Sequence, residues 1–427
     1  MNKIKLKTIY RIQFNLISPL NIGSGINVDT DRDILKNRDG VPYIPGSAIA
    51  GVCREKINLN SRAEKRFFGD VVIARKANQQ VTAQSSKLLF FDAKLQIDNN
   101  KKYRITRRDC VKLDEYKTAV DKAKFDMEIL EPGVTFVTYI VENIYENQEE
   151  SIGNKIADLF LGGEIYFGSK TMRGYGEIDN AEIKVKTFDF SDISDVNQYL
   201  DFDMFCYNSW NGYDVSRNRT ATVELGLRLK GGISIRRYTT DVKPNDNDLN
   251  PDSKQLTINS NGEEIPVIPG TSWAGAFLHR VKELDKDINW ESVFGTVVNN
   301  KEKLKAKSHI RFSESQIKGS KPKILSRNAI DRFTGGTVNQ ALFTEKTYYG
   351  GTTVLKIDFD NDSVLTKKHI DVLAAAIADL HYGYMAVGGL TSIGRGLFEI
   401  ETINGKAVQD DNVYTLAVEA LKAVEVG

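Results

Sequence analysis

Two short strings each occur twice in this chain, in the same order. Tyr43-Ile44-Pro45-Gly46-Ser47-Ala48-Ile49-Ala50-Gly51 returns as Val267-Ile268-Pro269-Gly270-Thr271-Ser272-Trp273-Ala274-Gly275. Gly168-Ser169-Lys170-Thr171-Met172-Arg173-Gly174-Tyr175-Gly176 is answered by Gly388-Gly389-Leu390-Thr391-Ser392-Ile393-Gly394-Arg395-Gly396, at nearly the same separation. Two different glycine-containing strings repeating in register mark a duplicated domain. Each half must then be a folding unit with its own core, and a surface offered by one half is offered again by the other.

The 427 residues suit two domains of roughly 200 residues. Charge is balanced, 58 Lys+Arg against 57 Asp+Glu, so any nucleic-acid surface has to be local rather than a property of the whole protein. Cys53, Cys110 and Cys206 stand far apart without a CxxC pair, which argues against a disulfide framework or zinc knuckle and suits a reducing cytoplasm. The basic start runs into an alternating strand rather than a signal core, and no stretch is apolar for long enough to span a membrane. A cytoplasmic protein is expected.

Periodicity predicts strands over 9–16, 87–96, 133–141 and 176–186, with helices starting near Pro45 and over 151–161. Ser47 is the expected N-cap of the first helix. The second half repeats the order: strands over 222–229, 308–315, 351–359 and 395–401, helices over 271–282 and 366–382. This is βαββαβ, so the fold class is α+β: two tandem ferredoxin-like (RRM-like) domains with inserted loop or thumb elements. The expected boundaries are 1–190, a junction 191–219, and 220–427. The stretch 187–219 is rich in Asp, Asn and Ser, yet Phe205, Tyr207 and Trp210 predict that it packs. Each half also carries two insertions, 23–40 and 101–131 in the first and 237–264 and 316–349 in the second. Long loops on a rigid scaffold commonly carry function.

Several of these features fit phosphate chemistry. Ser47, and Thr271 with Ser272, sit at helix starts, where unpaired N–H groups and the positive dipole end form an anion seat. The glycine strings let backbone approach a sugar-phosphate chain, with Lys170, Arg173 and Arg395 supplying charge and Thr171 and Thr391 hydroxyls. No GK[ST] follows at P-loop spacing. In the first acidic loop, Asp29, Asp31 and Asp33 alternate, so an extended loop would place their carboxylates on one side to hold a hard divalent cation.

Ser18-Pro19-Leu20-Asn21-Ile22-Gly23, Asp31-Arg32-Asp33-Ile34 and Pro42-Tyr43-Ile44-Pro45-Gly46-Ser47 resemble the RAMP superfamily. More narrowly they resemble the backbone subunits that sheathe the guide RNA in type III CRISPR complexes. The Gly168–Gly176 string matches the family's late loop. Arg327-Asn328-Ala329-Ile330-Asp331-Arg332-Phe333-Thr334-Gly335 resembles its inserted hairpin, followed by Glu345 and Gly350-Gly351-Thr352. The resemblance covers both halves and describes a fused pair of such subunits.

It implies that each unit grips phosphates of the crRNA, and that the inserted hairpin acts as a thumb that splays out a nucleotide. It further implies that an Asp in the loop before the first helix cuts the complementary target RNA with a divalent metal, Mg2+ or Mn2+. The partners are then crRNA, target RNA and other subunits of the complex, with no membrane. Counting from Ile34 puts Asp31 on the catalytic place, although Asp33 replaces the family's Pro. The same count in the second half falls on Ser253, beside Asp252, which is the second candidate acid, with Asp248 as fallback. Metal contact falls to Asp31 and Asp33. RNA contacts fall to Arg54 of the first helix, Arg280 of the second, and the thumb residues Arg107, Arg108, Arg327 and Arg332. Ala50 and Ala274 stand where the family carries a basic residue. His279, His309, His369 and His381 form no acid–base set, which disfavours guide processing.

The expected activity is therefore that of a metal-dependent endoribonuclease. The alternative is a non-catalytic crRNA-binding scaffold of the same complex. An unrelated phosphate-ligand enzyme is the weakest reading, for want of a nucleotide motif.

Overall fold

The computed structural model describes residues 3–25, 28–72, 82–97, 103–113, 119–146, 150–163, 165–204, 206–214, 222–237, 251–260, 263–295, 307–360 and 365–425. They form two compact units. The first comprises 1–107, 127–171 and 175–219; the second comprises 108–126, 172–174 and 220–427.

In chain order the first half contains β1 (Ile4–Leu16), α1 (Gly46–Ile57), β2 (Leu88–Phe90), β3 (Ala93–Leu95), the hairpin β4 (Ile105–Leu113) and β5 (Ala119–Leu130), and β6 (Thr135–Tyr145). Then follow α2 (Gly153–Gly162), β7 (Ile178–Asp189), α3 (Ile193–Leu200) and β8 (Asn211–Tyr213). The sheet runs β8-β7-β1-β6, with β2 and β3 both on the outer edge of β6, and every pairing is antiparallel. That is the fourth-first-third-second order of a βαββαβ fold, reached because each helix crossover returns its strand parallel to the one before.

Alternate residues of β1 face opposite sides. Ile12, Phe14 and Leu16 join Phe136, Phe160 and Phe167 beneath α1 and α2, the Phe14 ring lying 5.7 to 5.8 Å from the other three. Ile9 and Val141 belong to a second layer with Phe188 and Trp210. Arg11, fully buried, stacks 3.7 Å from the Tyr207 ring. Phe188, Phe202, Tyr207 and Trp210 of the 187–219 segment therefore pack on the far face of the sheet, while Phe205 and residues 215–219 lie outside the described residues.

The second half contains β9 (Thr222–Leu229), β10 (Ser253–Gln255), α4 (Gly270–Leu284), β11 (Ile310–Phe312), the hairpin β12 (Lys321–Ile330) and β13 (Thr337–Tyr349), β14 (Thr352–Phe359), α5 (Lys367–Tyr382), β15 (Phe398–Ile403) and α6 (Val413–Glu425). Its sheet runs β11-β14-β9-β15, again antiparallel and again fourth-first-third-second. On β9, Val223, Leu225, Leu227 and Leu229 are buried, while Glu224 and Arg228 are exposed. Arg228 bonds Glu399 at 2.8 Å and Glu401 at 3.1 Å on the open face. α5 begins in a capping box: Thr366 Oγ accepts the His369 N–H, and His369 Nδ1 accepts the Thr366 N–H. His381 Nδ1 accepts the Ile400 N–H, so both helical histidines are structural.

Three expectations needed correction. The strand expected over 87–96 breaks at Phe91-Asp92, and the one over 308–315 breaks after Phe312. The cause is close packing of the helix starts: a Cβ on Gly46 would lie 2.2 Å from the Phe90 carbonyl oxygen, and one on Gly270 would lie 2.1 Å from that of Phe312. Ser47 is not the N-cap. Pro45 is, and the first helical N–H, Gly46, donates instead to the Asp92 carboxylate at 2.7 Å. Among the described residues no helix is long and apolar enough to cross a membrane.

Candidate nucleic-acid interface

Three features that the sequence presents separately, the acidic loop, the glycine string and the thumb, meet through named bonds in the first unit. Asn21, at the root of the acidic loop, is the hub. Its carbonyl accepts the Ser169 N–H at 2.8 Å and its side chain accepts the Ser169 hydroxyl at 2.7 Å, while its amide donates to the Glu128 carbonyl on β5 at 2.8 Å. The Glu128 carboxylate returns to the acidic loop, accepting the Ile34 N–H at 3.1 Å and Lys36 Nζ at 3.0 Å. Sequence reasoning missed Asn21 and Glu128, since neither residue type at those positions signals a role without its partners.

The acidic loop is not extended. Asp33 folds back, its Oδ2 accepting the N–H groups of Val28 (2.6 Å) and Asp29 (3.1 Å), and its Oδ1 those of the Thr30 backbone (2.8 Å) and hydroxyl (2.7 Å). The Val28 N–H and the Thr30 hydroxyl hold its carboxyl far below the usual carboxylate range. With both oxygens occupied, Asp33 organises the loop and does not fit a metal ligand. Asp31 is exposed on the loop so shaped.

The second unit repeats the plan with other side chains. Ser234 takes the place of Asn21, its carbonyl accepting the Gly389 N–H at 2.7 Å. The Leu35 N–H donates to the Ile22 carbonyl at 2.7 Å, and the Leu256 N–H to the Ile235 carbonyl at 2.7 Å. These matching bonds equate Leu35 with Leu256. Counting four residues back from each pairs Asp31 with Asp252, one place from where the sequence count had fallen. Asp252 Oδ2 accepts the Thr344 N–H (2.7 Å) and hydroxyl (3.0 Å) from β13, and these donors depress its pKa. Asp248 lies outside the described residues. Among the described residues no group of three or more His, Cys, Asp or Glu could cage a metal ion.

The glycine strings turn alike, the Phe167 N–H donating to the Gly176 carbonyl at 2.9 Å and the Val387 N–H to the Gly396 carbonyl at 3.0 Å. Lys170 and Leu390 both take φ of 57°, followed by single 3-10 turns at Thr171–Arg173 and Thr391–Ile393. A Cβ on Gly176 would stand 1.8 Å from the Phe167 carbonyl oxygen, and one on Gly396 would stand 1.9 Å from that of Val387. These glycines admit the protein's own backbone rather than a ligand.

The arginines divide into two groups. Arg395 is buried, bonding Glu345 at 2.7 Å beneath the Tyr349 ring, and Arg327 pairs with the same carboxylate. Arg108, also buried, binds Glu314 through both terminal nitrogens, one at 3.1 Å. Arg280 joins α4 to Asp379 of α5 at 2.7 Å. The sequence assigned all four to RNA, but in the fold their charge is met by carboxylates. Arg54 lies on the last turn of α1, against Glu64 at 3.7 Å and the Phe68 ring. Arg173 contrasts with these, because its Nη1 is buried without a partner and burial lowers its pKa. Its carbonyl packs on the start of α4, 2.4 Å from where a Gly270 Cβ would be. Ser47, Arg107, Thr271 and Arg332 are exposed, and Lys170, Thr171, Ser272 and Thr391 are partly so. Asp331 turns the thumb tip, accepting the N–H groups of Phe333 and Thr334. Phe333 is fully exposed there, with Ile330 and Leu342 two-thirds exposed nearby.

No curated protein matches the chain. The family model of the RAMP superfamily matches residues 13–179 and 250–399, one region in each half and well over half of the chain together. That family brings CRISPR-associated crRNA binding with it. The duplicated ferredoxin-like fold, the twice-built loop cluster and this match agree: the chain belongs to the RAMP superfamily.

Proposed function

We propose that this protein is a fused pair of backbone subunits of a type III CRISPR ribonucleoprotein, holding crRNA along two like grooves and cutting paired target RNA at Asp31 and Asp252. The observation that carries the reading is the convergence, in each half, of acidic loop, thumb base and glycine string. Polynucleotide contact falls to exposed or half-exposed side chains: Ser47, Lys170 and Thr171 in the first half, Thr271, Ser272, Arg332 and Thr391 in the second, with Arg107 and with Arg173, whose Nη1 is buried without a hydrogen bond. Such contacts are to backbone and shape, base pairing supplying the sequence reading.

A divalent cation suits these loops only in one way. Mg2+ commonly binds through one or two carboxylates plus substrate phosphates, and one exposed carboxylate in each loop, Asp31 or Asp252, answers to that. The cation would stabilise charge developing on the scissile phosphate. Asp31 would hold it, on a loop whose shape Asp33 maintains. The scaffold-only alternative is favoured by Asp33, which stands where the family carries Pro and spends its carboxylate on the loop's own backbone.

Substituting Asp31→Ala in the assembled complex is expected to abolish one of two cuts while guide RNA content stays unchanged. A complete cleavage pattern from that variant rejects the catalytic assignment and leaves the scaffold reading.

A further inference from the structure

We infer that Thr344, on the thumb strand β13, is the positioning residue of the second acid, fixing Asp252 with one carboxylate oxygen pinned and the other turned outward. The inference rests on the reading of Asp252 as the second cutting site.

Three bonds join the two residues: the Thr344 N–H and hydroxyl both reach Asp252 Oδ2, at 2.7 and 3.0 Å, and the Asp252 N–H donates back to the Thr344 hydroxyl at 3.2 Å. Oδ1 takes no part in them. The strand beneath is locked as well, since β10 pairs with β13 in parallel at Ser253↔Glu345 and Lys254↔Lys346, immediately after the two residues concerned. Glu345 is anchored in turn by Arg395 and Arg327. A carboxylate held this way keeps one rotamer and its negative charge, and presents a single oxygen in a defined direction. Orientation by outer groups of this kind is what makes an exposed ligand effective.

The first unit reaches the same end differently. There the loop is braced by Asp33 against its own backbone and by Glu128 from β5. The two sites should therefore respond independently to changes at Thr344.

The test uses the whole assembled complex and a labelled target whose two products are resolved, so that the Asp31 cut serves as an internal control. Thr344→Val retains the N–H but loses the hydroxyl. It is expected to slow only the cut that Asp252→Ala abolishes, by about tenfold. Thr344→Ser should restore the rate, which a merely structural loss of the threonine side chain would not require. Equal guide RNA content and melting temperature across the three proteins would exclude a folding cause. An Asp252-dependent cut that keeps its rate in Thr344→Val overturns the inference and leaves the proposed function standing. A complex in which Asp31→Ala removes a cut but Asp252→Ala removes none overturns it also, and reduces the chain to one active unit. Absence of any cut in the native complex would defeat the catalytic reading itself.

Discussion

Asp33 shows how a residue type can be read correctly and its task missed. Its place among alternating aspartates suggested a metal ligand, yet a short acidic side chain can equally bond backbone N–H groups a few residues away. Here it bonds Val28, Asp29 and Thr30. Periodicity carries no information about which of these wins, since the choice depends on whether the loop folds back. The stability consequence has a definite sign. A carboxyl whose pKa is lower folded than unfolded stabilises at pH values above its unfolded pKa of about 4, and that stabilisation is lost as pH falls through the folded value. Asp33→Asn should therefore lower stability at pH 7, on the order of 1.5 kcal/mol for lost bonds to a charged acceptor. The gap in melting temperature between variant and parent should close progressively below about pH 4. A gap constant from pH 7 to pH 3 would mean that the charge on Asp33 contributes nothing.

At the scale of elements, helix and strand order was legible because β1 and β9 alternate and both helix starts carry Pro-Gly. What was illegible is where charged side chains pair across the chain. Arg395 lies in a glycine string and reads as a phosphate ligand; only the fold brings it to Glu345, fifty residues away in sequence. Arg332, of the same residue type, is exposed at the hairpin tip. The two should separate cleanly by substitution. Arg395→Ala strips a buried carboxylate of one of its partners and is expected to destabilise the fold by about 3 kcal/mol in denaturant. Arg332→Ala should leave the denaturation midpoint unchanged and lower RNA retention as salt is raised, a phosphate contact being salt-sensitive. Loss of RNA without loss of stability in the Arg395 variant would reverse the assignment.

On the scale of the whole molecule, the repeat located two ferredoxin-like folds but not the division of the chain into compact units. Residues 108–126 and 172–174 count with the second unit, where Arg108 meets Glu314, both side chains only 4% exposed. A fragment of residues 220–427 would leave Glu314 buried without its countercharge, a condition that typically costs about 3–5 kcal/mol. That fragment, and the full chain with Arg108→Ala, should both unfold at markedly lower denaturant than the native protein. A fragment as stable as the parent would make the pair dispensable.

The roof that Phe188, Phe202, Tyr207 and Trp210 lay over the first sheet has an evolutionary consequence. Substitutions on both sides of β1 are constrained by packing, whereas outward positions of β9, Glu224 and Arg228, meet solvent and, among the described residues, polar neighbours on the same open face. Descendants of a single ancestral strand would thus drift apart fastest there, while turns clamped against a neighbouring carbonyl stay fixed. This accounts for the kinship of the halves surviving in glycines rather than in the strands between them.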